Sequence, residues 1–104
     1  MFEKDLSITL LYDLYSPLLS EKKREVFESY YLSDLSLAEI SEDTGTSRQA
    51  VRDLIDRTKK ELYALEEKIG LSRKRKELRI LCDRVALSSD AERKELLEQI
   101  CEII

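Results

Sequence analysis

The stretch Ser36–Arg57, SLAEISEDTGTSRQAVRDLIDR, predicts two helices joined by a tight turn. Ser36 can cap the first helix, because Glu39 follows three residues later and completes a capping box. Gly45 lies where that helix must end, since glycine tolerates the positive φ of a helix C-terminus. Ser47 can then accept hydrogen bonds from the free N–H groups of the second helix. The arrangement is a helix-turn-helix, whose second helix can enter the major groove of DNA.

Apolar residues recur at helical spacing on both sides of this turn. Leu37 and Ile40 share one face of the first helix, and the second helix has a stripe at i, i+3 and i+4 formed by Val51, Leu54 and Ile55. Three polar residues depart from the usual apolar pattern of the motif: Ser41, Thr44 and Thr46. Thr44 replaces a large apolar residue and should anchor the first helix less firmly. An ordinary helical hairpin in a bundle is the alternative reading of the same spacing.

The composition favours an all-α protein. The 104 residues include only 2 glycines and 1 proline, with 42% hydrophobic and 38% charged residues. This length suits one core and not two large ones. We expect a helix-turn-helix domain over residues 1–70 and a C-terminal helical extension over residues 71–104 that packs or oligomerises. No apolar run reaches the roughly 18 residues of a membrane span, and the start lacks a signal peptide, so a cytoplasmic protein is expected.

The net charge of −4 is unevenly distributed along the chain. Residues 1–45 carry 4 basic and 10 acidic side chains, for −6; residues 46–84 carry 12 and 7, for +5; residues 85–104 carry 2 and 5, for −3. A basic middle between acidic ends can attract phosphate locally. A solvated charged surface is the alternative explanation.

Two helices are predicted before the motif. The first covers residues 3–15 and ends at Pro17, which removes a hydrogen-bond donor. Its apolar face is predicted to contain Leu6, Leu10 and Leu14, with Leu11 beside them. The second runs from Glu21 to about Leu32 with Ser20 as its cap. Its apolar side, expected to be core and not a surface for stacking on bases, contains Val26, Phe27, Tyr30 and Tyr31.

The second helix of the motif has no glycine or proline until Gly70, so it is predicted to run from Arg48 to Ile69, about 33 Å. Its apolar residues alternate by four and three in a heptad-like seam: Val51, Ile55, Thr58, Leu62, Leu65 and Ile69. Such a stripe needs a helix against it, from the same chain or from a second copy. A homo-oligomer is therefore expected.

Gly70 is predicted to be the C-cap of this long helix. Ser72 can start the next helix, and Ser89 with Glu92 makes a capping box for the last helix. Two apolar faces are predicted there, one with Leu78, Leu81, Cys82 and Val85, the other with Leu96, Leu97, Ile100, Cys101 and Ile104. Both cysteines are therefore expected to be buried thiols. The absence of histidine and of a CxxC pair excludes the usual zinc and redox motifs.

The candidate nucleic-acid-binding residues lie in the basic middle: Ser47, Arg48, Gln49, Arg52, Arg57, Lys59, Lys60, Arg73, Lys74, Arg75 and Lys76. Arginine can read guanine and glutamine can read adenine, while the lysines can contact phosphates. Asp53 and Asp56 oppose this role, since carboxylates repel phosphate, and they leave a protein-facing adaptor open. No enzyme is expected, because the sequence has no histidine and no glycine-rich phosphate loop. No cofactor is expected either.

Five segments of the sequence resemble the YlxM family of small bacterial helix-turn-helix proteins. They are LYDLY at 11–15, LLSEK at 18–22, YYLSDLSLAEI at 30–40, SRQAV at 47–51 and DR at 56–57. The resemblance covers about residues 6–70. It implies a helix-turn-helix similar to the promoter-reading fourth region of bacterial sigma factors. It also implies a role in, or regulation of, the signal recognition particle pathway, with DNA, particle RNA or a particle protein as partner. Family members often have an aromatic residue where Arg52 stands here.

Overall fold

The computed structural model describes residues 7–104, and the helices predicted from the sequence dominate this part of the chain. The fold is all-α, with no strand among these residues. A short 3-10 helix, Ser16–Leu18, follows the first α-helix and contains Pro17. The α-helices are α1 Ile8–Tyr15, α2 Glu21–Tyr31, α3 Leu37–Thr44, α4 Arg48–Ile69, α5 Leu71–Leu87 and α6 Asp90–Ile103. The chain divides into two compact units between Ile69 and Gly70.

The buried face of α1 differs from the predicted one. Leu10 is 55% exposed, and the buried side chains are Ile8, Leu11, Tyr12 and Tyr15. These residues also recur at helical spacing, and the two tyrosine rings bury more apolar area than the leucine stripe offers. Leu14 is partly buried against the core. The predicted start at residue 3 and Leu6 lie outside the described residues.

The aromatic side chains of α1 and α2 form the centre of the first unit. All four residues predicted for the buried side of α2 are buried, and Ser20 caps the helix by accepting from the Lys23 N–H. The Phe27 ring stacks on Tyr12, with centroids 4.3 Å apart, and on Tyr31, at 4.5 Å. Phe27 itself is completely inaccessible to solvent. The tyrosines of α2 are therefore core residues, as predicted.

The seam of α4 is covered by helices of the same chain. Its inner side chains, Val51, Ile55, Thr58 and Leu62, are at most 2% exposed. Helices α1 and α2 pack against α4. The Tyr15 hydroxyl donates to Glu66 at 2.7 Å, and Lys23 pairs with Glu61. The inner seam is therefore not free for a second copy, and it does not support a homo-oligomer.

The second unit is a helical hairpin of α5 and α6 joined by Ser88 and Ser89. Gly70 has a φ of 72°, as its predicted C-cap role requires, but α5 begins at Leu71 and not at Ser72. The only buried apolar side chain of this unit is Leu81, at 7% exposure. The partly buried apolar side chains of the unit are Leu78, Val85, Leu96, Ile100 and Ile103.

Three predictions for the second unit are wrong. Cys82 and Cys101 are free and exposed, not buried. Leu97 and Ile104, at 53% and 90% exposure, do not join the buried face of α6. Ser89 makes no side-chain capping bond. The first two errors have one cause, since each helix of a two-helix hairpin buries only the narrow stripe that faces its partner.

Tyr12 gives the first unit a pH dependence at high pH. Burial, with the hydrogen bond to Glu28 and its negative charge, raises the pKa of Tyr12 from 10.0 to about 12. Because the folded-state pKa is the higher one, the stability that Tyr12 contributes is expected to be fully present below pH 10 and to be lost as the pH rises towards 12. Urea unfolding of the wild type and Tyr12→Phe across this range measures the difference. If the free energy of unfolding falls equally steeply with pH in the wild type and in Tyr12→Phe, the expectation is contradicted.

Candidate nucleic-acid interface

Helix α3 is held at its start by the predicted capping box. The Ser36 hydroxyl accepts from the Glu39 N–H at 3.1 Å, and the Glu39 carboxylate accepts from the Ser36 N–H at 3.2 Å. Ile40 is the one buried side chain of α3, at 1% exposure. The helix is therefore positioned by its cap, by the buried Ile40 and by Leu37, which is partly buried against the core.

The turn after α3 has the predicted geometry. Gly45 has φ 71° and ψ 19°, and its N–H donates to the Ser41 carbonyl at 3.0 Å. The Thr44 hydroxyl donates to the Ile40 carbonyl at 2.8 Å and pairs with the Thr46 hydroxyl at 2.9 Å. Thr44, which stands where the motif usually has a large apolar residue, is exposed. At this position hydrogen bonds replace the usual apolar contact.

Replacing Gly45 with alanine is expected to destabilise the protein by about 1–2 kcal/mol, because the left-handed conformation is unfavourable for a residue with a Cβ. A Cβ at this position meets no atom within 4 Å, so backbone strain and not a clash causes the loss. Gly45→Asn is the matched variant and should lose less, since asparagine tolerates this conformation. Urea denaturation measures both. A smaller loss for alanine than for asparagine would contradict the interpretation.

Helix α4 begins directly after the turn and presents its first residues to solvent. The Ser47 hydroxyl accepts from the Ala50 N–H at 3.0 Å, which confirms its capping role. Arg48, Gln49 and Arg52 are all exposed, while Val51 between them is 2% exposed. The buried side of α4 thus fixes the helix, and the predicted reading residues lie on its solvent side.

Gln49 does not extend alone into solvent. Its side-chain amide donates to the Asp53 carboxylate at 2.9 Å, on the same exposed side of α4. This pair was not predicted from the sequence. Its signal is the spacing of four residues, because glutamine and aspartate at this spacing can hydrogen-bond on a helix surface. The amide is thereby oriented by the carboxylate.

The remaining candidate cations fall into two groups. Arg57 and Lys60 are exposed and Lys59 is half-buried, all farther along α4. The four consecutive cations Arg73, Lys74, Arg75 and Lys76 are exposed in the first two turns of α5, in the second unit. Helix α4 therefore contains six candidates, from Arg48 to Lys60, with Ser47 as its cap, and the other four belong to a separate unit.

Neither a metal-binding cluster nor a membrane span is found within residues 7–104. No three histidine, cysteine, aspartate or glutamate side chains are grouped so that they could hold a metal ion. No helix in the same range combines the length and the apolar character needed to cross a bilayer.

Comparison with known proteins identifies the family. A family model described as "Putative helix-turn-helix protein, YlxM / p13 like" matches residues 2–103. UPF0122 proteins of Listeria innocua and Geobacillus kaustophilus are 39% and 40% identical over 109 aligned positions, covering 99% of each chain. A UPF0122 protein of Clostridium novyi is 53% identical over 76 residues, 73% of this chain and 66% of the relative. The chain therefore belongs to the UPF0122 family of YlxM-like helix-turn-helix proteins.

Proposed function

We propose that this protein is a nucleic-acid-binding regulator that inserts the start of α4 into the major groove of duplex DNA. The observation that carries the proposal is the exposure of Arg48 and Arg52 directly after the left-handed turn at Gly45. The buried Val51 and Ile55 hold α4 from behind. A helix fixed in this way can present guanidinium groups to base edges and phosphates.

The cations farther along α4 extend this surface. Arg57, Lys59 and Lys60 follow the reading residues within three turns, where they can contact phosphates on either side of the groove. Asp53 holds the Gln49 amide, so a purine contact through Gln49 would use its remaining hydrogen-bonding capacity. We also propose the bacterial cytoplasm as the location, because the relatives are bacterial and the target is nucleic acid.

The resemblance to the YlxM family guides the choice of target. We propose that the protein takes part in or regulates the signal recognition particle pathway, with DNA of that operon or the particle RNA as ligand. In this proposal residues 1–70 form the binding domain, similar to the fourth region of sigma factors. The four cations at Arg73–Lys76 add phosphate contacts.

Replacing Arg48 and Arg52 with alanine is expected to weaken binding by about tenfold or more for each residue that reads a base. Each lost phosphate contact should also reduce the slope of the logarithm of the binding constant against the logarithm of the salt concentration, by about 0.9 on duplex DNA. Fluorescence anisotropy with random duplex, operon DNA and particle RNA across a salt series measures both. Arg93→Ala, an exposed arginine in α6, is the control and should leave binding unchanged. Absence of binding to all three ligands at low salt would refute the proposal.

An adaptor that uses the helix-turn-helix only as a scaffold is the second candidate. It is favoured by Asp53 and Asp56 on α4 and by the exposed apolar residues of the hairpin. A protein partner should then be retained in pull-down after nuclease treatment. Loss of all retention on nuclease treatment would count against the adaptor.

We propose that the chain self-associates through the outer side of α6 and not through the seam of α4. Leu97, Cys101 and Ile104 recur at helical spacing there and are exposed. Light scattering at high concentration should give a dimeric mass that Leu97→Glu reduces. A monomeric mass for the wild type would refute this part of the proposal.

A further inference from the structure

The hairpin of α5 and α6 has a groove along one of its faces. Two concavities lie next to each other along the hairpin, since Gln99 lines both and each has lining residues from both helices. Leu81 and Ile103 line one half, and Leu87 and Leu96 line the other. The lining positions of α5 are 77, 80, 81, 84 and 87, which share one helix face. This hairpin groove thus extends about 15 Å, or roughly three turns of a helix.

The hairpin groove contains apolar surface that the unit itself does not cover. Ile80 and Leu87, both in the groove, are 54% and 91% exposed. Residues 70–104 bury only one apolar side chain, Leu81. Folded units below about 40 residues generally need stabilisation from outside their own core. A bound helix would supply it, because association with the folded form alone stabilises that form.

The charges around the hairpin groove indicate what it binds. The lining residues include one cation, Arg84, and four carboxylates, so their net charge is −3. The carboxylates are Glu77, Glu92, Glu95 and Glu102. A second copy placed groove to groove would bring four more carboxylates to the same rim. Like charges at an interface suppress a wrong partner, and opposite charges favour the right one.

We propose that the hairpin groove binds an amphipathic helix of a partner protein whose apolar stripe is flanked by lysines and arginines. The apolar side chains would lie on Ile80, Leu81 and Leu96, as in other helix-in-groove complexes. The flanking cations would pair with the glutamates of the rim. This inference deepens the adaptor candidate, and it does not depend on nucleic-acid binding by the first unit.

Three synthetic peptides test the proposal against the full-length chain in nucleic-acid-free buffer. The first has leucines on one helix face flanked by lysines, and the second has glutamates in place of the lysines. The third keeps the lysines but scatters the leucines around the helix. By anisotropy, the first is expected to bind about tenfold or more tightly than either of the others. If the first and third peptides bind equally well, charge attraction alone accounts for the binding, and the proposal is overturned.

Matched variants locate the binding to the groove. Ile80→Ser removes a groove side chain, and Leu10→Ser removes one that is equally exposed, at 55%, but lies on α1, outside the groove. Ile80→Ser is expected to weaken binding of the first peptide about fivefold or more, and Leu10→Ser less than about twofold. Equal effects would overturn the proposal. So would a dimer of the unliganded chain that Ile80→Ser converts to a monomer, because a second copy would then occupy the groove.

A charge exchange at the rim provides a test that does not touch the apolar packing. Glu77→Lys with Glu102→Lys changes only exposed side chains, so the hairpin should keep its helical circular dichroism. The preference for the lysine peptide over the glutamate peptide is expected to shrink about tenfold or to reverse. An unchanged preference would overturn the proposal, whatever the result for DNA binding by Arg48 and Arg52.

Discussion

Replacing Phe27 with alanine is expected to lower the free energy of unfolding by about 3–5 kcal/mol. The ring is 0% exposed and lies between the rings of Tyr12 and Tyr31, at centroid distances of 4.3 and 4.5 Å. Alanine removes both stacked contacts and leaves a cavity. The tyrosine rings around it belong to two helices, so no single side-chain movement can close it.

Urea denaturation followed by circular dichroism measures the loss. Leu32→Ala is the control, because Leu32 is a large apolar residue at the end of the same helix but is 59% exposed. Its effect is expected to stay within about 0.5 kcal/mol. A Phe27→Ala loss below about 1 kcal/mol would show that the stacked cluster is not the centre of the unit.

The sequence predicts correctly the features of the motif that depend on residues within one helical turn, whereas the capping box predicted at Ser89 is wrong. The capping box of Ser36 with Glu39, the left-handed turn at Gly45 and the capping bond of Ser47 all involve partners three or four positions apart. The length of α4 follows from the lack of any helix-breaking residue between Arg48 and Ile69. The exposed position of the reading residues follows from the buried stripe behind them.

Features that depend on distant parts of the chain were not predictable in this way. Periodicity showed that α4 has an apolar face, but not that α1 and α2 cover it, because the pattern carries no information about the partner. The same pattern placed Cys82 in a core, although a two-helix hairpin has no second layer to bury it. In α1, two overlapping sets of apolar residues fit the helical period, one with Leu10 and one with Tyr12. Tyr12 is the buried one, because its ring stacks on Phe27.

Ile40 joins the stability of the fold to the proposed function. Helix α3 has eight residues, and it packs on α2 and α4 with Ile40 as its only buried side chain. A helix of this length is not stable in isolation, so its position depends on tertiary contacts. The turn at Gly45 and the start of α4 at Arg48 are in turn held against the end of α3.

Ile40→Ala is therefore expected to cost about 2–5 kcal/mol and to loosen α3 more than the rest of the unit. Amide hydrogen exchange should accelerate most in Leu37–Thr44, while the buried part of α4 around Leu62 stays protected. Glu42→Ala, an exposed change on the same helix, should leave both stability and exchange nearly unchanged. If exchange in α3 rises and duplex affinity falls with it, the first helix of the motif positions the second for binding. If exchange rises and affinity does not change, α4 binds the duplex without support from α3.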